Sequence, residues 1–190
     1  MMPKAKYDLV ERTLENVQYI NNQINEGKIL LNDDTFNEVT NLINNGLGLL
    51  SYVYQYAEDI ALAQHSQNVN QDIHELIHNH LRTILGSLTY SETKYGKVKV
   101  CYPQWQPKDT STNEICAVVY RMRNSICHCG VEPIGGNPDE EGRIYIEKIK
   151  FIDSNANSVV RFEAIMTIKQ FYDFANDVAD AFNKYRSTKH

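Results

Sequence analysis

Apolar residues recur at intervals of three and four along most of this chain, which is the spacing of helices with one buried face. From Tyr7 to Ile24, Leu9, Val10, Leu14, Val17, Ile20 and Ile24 form one such stripe, and Glu26-Gly27 closes it. Asp33 or Asp34 suits the cap of a second helix, which carries Phe36, Val39, Leu42, Ile43, Leu47, Leu49, Leu50, Val53 and Tyr54. Gly46 and Gly48 lie inside that run and cost helix propensity, so they point to close approach by a neighbouring helix. A third helix is predicted from about Val69 to Leu88, with Ile73, Leu76, Ile77, Leu81, Ile84 and Leu85 on one side.

The pattern breaks from Gly86 to Lys97, and KVKVCYPQWQPKDTST reads as an extended loop leading into a helix N-terminus. Ser111, Thr112 or Asn113 caps the next helix, which runs to about Cys129 with Gly130 as its stop. After the turn-rich VEPIGGNPDEEG, the segments RIYIEKIKFID and SVVRFEAIMTI alternate apolar and polar residues around SNAN, the pattern of a β-hairpin. A last helix follows Thr167, from about Ile168 to Tyr185, and buries Phe171, Phe174, Val178, Ala181 and Phe182. These elements predict a mainly α fold in one domain over 1–190, with a small hairpin at about 143–167 between the fourth helix and the last.

Composition narrows the function. The 190 residues carry a formal net charge of -5, which argues against coating nucleic acid through a broad basic surface but leaves room for a small positive cleft. The charged N-terminal stretch lacks the apolar block of a signal peptide, and no run is long enough to span a membrane, so a cytoplasmic protein is expected. Cys101, Cys116, Cys127 and Cys129 fit no zinc-ribbon spacing and are expected to be reduced and half-buried.

The chemistry concentrates in RMRNSICHCG at 121–130. On a helical wheel Ile115, Val118, Val119, Met122 and Ile126 share one face, and Arg121, Asn124, Ser125 and His128 share the other. Arg123 stands at the border, about 140° from His128 on an ideal helix. Cleavage of RNA by its own 2′-hydroxyl needs a base, an acid and positive charge on the phosphorane. Histidine titrates near neutrality and supplies proton transfer. Arginine stays charged, and its planar fork matches phosphate oxygens. Asn124 is placed to orient either one. An arginine and a histidine at this spacing also arise by chance in ordinary amphipathic helices, so context must decide.

That context is an early Gly-Leu-Leu-like segment (NLINNGLGLL, 41–50), then a helix ending in RNSICH, then a hairpin and a Phe-rich helix. In this order, and in its RNxxxH motif, the chain resembles the HEPN superfamily over roughly residues 30–187. The resemblance implies a helical bundle that dimerises so that two motif helices form one composite cleft. It further implies a ribonuclease of toxin or antiviral-defence type that needs no metal or other cofactor and leaves 2′,3′-cyclic phosphate ends, with RNA as substrate and an antitoxin or defence protein as a further partner. By motif position Arg123, Asn124 and His128 take the catalytic roles, with Arg121 in support. CHCG departs from the commoner His-Gly step of that family. A HEPN-like interaction module without catalysis is the alternative.

A third reading is a zinc peptidase, because HELIH at 74–78 sets two histidines one turn apart around a glutamate. Against it stand Asp72 before the motif and Asn79-His80 after it, where such enzymes keep uncharged and apolar residues, and the lack of a G-x-x-H continuation; Glu92 as third ligand is a guess. A solvated helical face with exposed His74 and His78 is the simpler expectation. Adjacent Cys127, His128 and Cys129 point in different directions on a helix and cannot chelate one ion. Trp105 is expected to plug a core edge rather than stack on a base, and Tyr52, Tyr54 and Tyr56 to serve packing.

Overall fold

In the computed structural model the second apolar stripe is one long helix, α1 (Phe36–His65), which continues well past Tyr54 because Ala57 and Ala61 extend the buried face. The structure describes residues 36–67, 69–86, 88–100, 115–135, 140, 146–154 and 157–189, and single positions at 13, 15, 18, 19 and 22. Those five N-terminal positions are helical, as the first stripe predicts. The predicted caps at Asp33, Asp34, Ser111, Thr112 and Asn113, together with Cys101 and Trp105, fall outside the described residues.

Helix α2 (Ile73–Leu85) starts four residues later than predicted, because the Asp72 side chain accepts a hydrogen bond from the His74 backbone N–H at 2.8 Å and caps it. A single turn, α3 (Glu92–Tyr95), leads into β1 (Lys97–Val100). The motif helix α4 (Ile115–Cys127) is followed by β2 (Val131–Gly135), then β3 (Ile146–Ser154) and β4 (Val160–Thr167). The last helix, α5 (Ile168–Ser187), begins at Thr167 as predicted, with a reciprocal cap between Thr167 and Gln170.

The predicted hairpin is the centre of a larger sheet. KVKV and VEPIG, both read as loop, pair on its two sides to give the antiparallel order β1-β4-β3-β2. Short edge strands carrying Lys97, Lys99 and Pro133 are hard to read in isolation, since their pairing partners lie far along the chain. The fold remains mainly α.

Strand periodicity puts Ile149, Phe151 and Asp153 of β3 and Phe162, Ala164 and Met166 of β4 on one buried face. Helices α4 and α5 pack against this sheet, and α1 and α2 pack against those two helices in turn. Phe151 meets Phe171 of α5 at 5.6 Å between ring centroids, and Tyr52 and Tyr56 of α1 both set their rings edge-on to Phe182. On the outer face Lys150 pairs with Glu163 at 3.2 Å. No helix among the described residues is long and apolar enough to cross a membrane.

The two glycines of α1 divide. A Cβ on Gly46 would stand 2.6 Å from the Phe171 ring, so this glycine is the close approach to another helix that its position predicts. Around Gly48 nothing lies within 4 Å of such a Cβ. Gly48→Ala is therefore expected to raise stability by about 0.5–1 kcal/mol through helix propensity. Gly46→Ala is expected to lower it by about 1–3 kcal/mol through overpacking. Urea unfolding of the two variants checks both signs.

Candidate functional site

Helix α4 is clamped on more than one side. Ile115, Val118, Val119 and Met122 are buried as the wheel predicts, but so are Cys116, Tyr120, Arg121 and Ser125. The supposed polar face is thus largely covered, because β3 packs where sequence periodicity predicts solvent. Arg121 in particular is not on a solvated surface with His128. Its Nη1 donates to Asp153 Oδ2 at 2.6 Å, and both side chains are only 5% exposed. Such a pair fixes the helix against the sheet and leaves Arg121 no freedom to reach an RNA phosphate.

The end of α4 emerges from this packing. The Gly130 N–H donates to the Ser125 carbonyl at 2.7 Å and the Cys129 N–H to the Ile126 carbonyl at 3.2 Å, the paired bonds of a Schellman turn. The left-handed residue of that turn is Cys129, with φ 56°, rather than Gly130. Gly130 is required for another reason: its carbonyl accepts from Ile152 N–H at 2.7 Å, and a Cβ there would collide with the Ile152 carbonyl. The departure from a His-Gly step therefore puts a side chain at the one position of the turn that favours glycine. Because Cys129 is exposed, Cys129→Gly is expected to stabilise the protein by about 0.5–1 kcal/mol, read as a raised melting temperature.

Arg123, Asn124 and His128 gather at this end. The Arg123 guanidinium carbon lies 4.4 Å from the centre of the Tyr54 ring, and Nη1 donates to Asn124 Oδ1 at 3.3 Å. The Asn124 backbone carbonyl accepts from the His128 N–H at 2.9 Å. The Asn124 side chain thus bonds to the arginine, and the bond to His128 is the regular backbone bond of the helix's last turn. Arg123 and Asn124 are half-buried, and His128 is exposed in the turn. Cys127 and Cys129 beside it are free and exposed, whereas Cys116 is buried, so the expectation of uniformly half-buried thiols is corrected.

Tyr54 comes from α1 and is 3% exposed. Burial raises its hydroxyl pKa well above the tyrosine range, with Tyr120 and Glu58 adding to the effect and Arg123 opposing it, so the ring stays neutral. Tyr120 meets it edge-on at 5.5 Å. The sequence alone gives Tyr54 a packing role; its contact with Arg123 joins residues far apart in the chain.

The HELIH residues are disposed otherwise than a peptidase requires. His78 is buried at 3% exposure and stacks 5.4 Å from Tyr120, and His74 Nδ1 lies 3.5 Å from the Tyr120 hydroxyl. His78 therefore serves the seam between α2 and α4, which corrects the expectation of a solvated face. Among the described residues no three His, Cys, Asp or Glu side chains are grouped to hold a metal ion.

No curated protein and no solved structure matches this chain. The family model described as HEPN pEK499 p136 matches residues 2–189, almost the whole length. The motif helix, the order of elements around it and this match together make the chain a member of the HEPN pEK499 p136 family.

Proposed function

We propose that the end of α4 is the active site of an endoribonuclease that cleaves RNA without a metal ion. The observation that carries this reading is an arginine braced on the Tyr54 ring at 4.4 Å and followed five residues later by a solvent-facing histidine, at the end of the motif helix of a HEPN chain. In the reaction the 2′-oxygen attacks phosphorus and the bond from phosphorus to the 5′-oxygen breaks. The 2′-hydroxyl proton leaves to a base, the 5′-oxygen receives a proton from an acid, and the products are a 2′,3′-cyclic phosphate and a 5′-hydroxyl end. His128 performs one of these transfers, Arg123 stabilises the dianionic phosphorane, and Asn124 orients them.

The reaction needs both an acid and a base, and each copy offers one histidine at this end of the helix. We propose that two copies of the chain dimerise through the exposed end of the motif helix α4, each offering a histidine to a shared cleft. The exposed turn from Cys127 to Cys129 provides the surface for that approach. A toxin or antiviral-defence role, with a cognate antitoxin or defence protein as partner, is the biological setting proposed for such an activity.

The test is incubation of single-stranded RNA with the protein in excess EDTA. Undiminished cleavage is expected. Cleavage abolished by EDTA and restored by a divalent cation contradicts the mechanism, and an RNA left whole in every condition favours a HEPN interaction module instead.

A further inference from the structure

We infer that Tyr54 is a positioning residue for the proposed RNA cleavage, holding the Arg123 guanidinium by one face so that its edge is free for phosphate; the inference rests on the ribonuclease reading of α4. Among the described residues five cations lie over aromatic rings, and Arg123 over Tyr54 is the nearest at 4.4 Å, the others standing 5.2–5.9 Å away.

The way an arginine is held decides whether it is useful. Arg121 is held by a buried carboxylate, which offsets its charge and takes up its Nη1. An aromatic face attracts the guanidinium through the ring quadrupole and leaves the charge and the N–H groups available. Arg123 is held in this second way. Of its donors, Nη1 reaches Asn124 at 3.3 Å, a long and neutral contact that a phosphate oxygen readily replaces.

The ring itself is fixed. Tyr54 belongs to the buried stripe of α1, between Val53 and Ala57, and the Tyr120 ring closes against it with an interplanar angle of 65°. An unbraced arginine loses rotamer freedom as it closes on a phosphate, whereas one already resting on a fixed ring meets the developing charge in place. This predicts an effect on the chemical step more than on binding. It also brings a tyrosine of α1 to a site whose other named residues lie on α4 and the turn that ends it.

The experiment replaces Tyr54 with phenylalanine and then with phenylalanines of increasing ring fluorination, which weakens the quadrupole while nearly preserving shape. Tyr54→Phe, which keeps the aromatic face, sets the reference rate of the series. Across the fluorinated series kcat is expected to fall stepwise by about tenfold, with KM and melting temperature little changed. In an Arg123→Met background, which has no cation to rest on the ring, the same series is expected to be flat. A flat series in a protein that cleaves RNA overturns the positioning role and leaves the ribonuclease reading standing. If wild type and His128→Ala give the same RNA pattern, the ribonuclease reading fails and this inference falls with it.

Discussion

Asp153→Ala is expected to lower the stability of the fold by about 3–5 kcal/mol, the usual cost of removing one partner from a buried ion pair. Arg121 and Asp153 are each about 5% exposed and meet at 2.6 Å. With the carboxylate gone, the guanidinium stays buried with no countercharge. Its Nη2 already lacks a hydrogen-bond partner among the described residues, so little else there can compensate. Against a typical total of about 5–15 kcal/mol, this loss is severe. Removing both charges together, as Arg121→Met with Asp153→Leu, is expected to be near neutral or stabilising, because the desolvation of both ions is then avoided. Denaturant unfolding of the single and double variants distinguishes this account from one in which the pair is incidental, for which Asp153→Ala would cost less than about 1 kcal/mol.

The pair also has a consequence for the site. The Ser125 hydroxyl donates to the Arg121 carbonyl at 2.9 Å, and the Ser125 carbonyl receives Gly130 N–H. Gly130 in turn accepts from Ile152, the residue before Asp153. The sheet therefore grips α4 at two points, one turn before the motif asparagine and just after the motif histidine. This is how a stability element, Arg121, comes to sit two residues before the motif arginine.

His128→Ala is expected to reduce RNA cleavage by about 10²–10⁴-fold, the range for loss of a general acid or base. Because His128 is exposed, its melting temperature is expected to change little, within about 0.5 kcal/mol of stability. Arg123→Ala is expected to cost about 10²–10³-fold through loss of charge on the phosphorane. Arg123→Lys keeps the charge but loses the planar fork and the stacked geometry, and so recovers only part of the rate. Arg121→Lys is expected to act differently, lowering stability with cleavage per folded molecule little changed. A rate loss for Arg121→Lys as large as that for Arg123→Ala, at unchanged stability, would return Arg121 to the catalytic set.

The long helices were legible because each buries an apolar stripe, and a stripe is written locally at periods of three and four; the single turn α3 carries no such stripe. The start of α5 after Thr167 was legible, and the structure adds the reciprocal cap with Gln170. The central hairpin was legible by alternation, but β1 and β2 were not. Their four or five residues become strands through pairing with β4 and β3, and nothing local marks that partnership. The burial of Arg121 was hidden for the same reason. One signal was available: Asp153 occupies the apolar phase of β3 after Ile149 and Phe151, and an acid in that phase calls for a buried cation. In HELIH, the motif pattern itself drew attention from the simpler fact that His78 shares the buried side of α2 with Leu81 and Leu85.

The central claim is that RNA is cleaved by its own 2′-hydroxyl at the end of α4, and the chemistry of the new ends tests it most directly. Single-stranded RNA incubated with the wild-type protein in EDTA is expected to give fragments ending in 2′,3′-cyclic phosphate, and His128→Ala is expected to give almost none. Equal amounts of such fragments from both proteins, or fragments ending in 5′-phosphate from the wild type, would contradict the account.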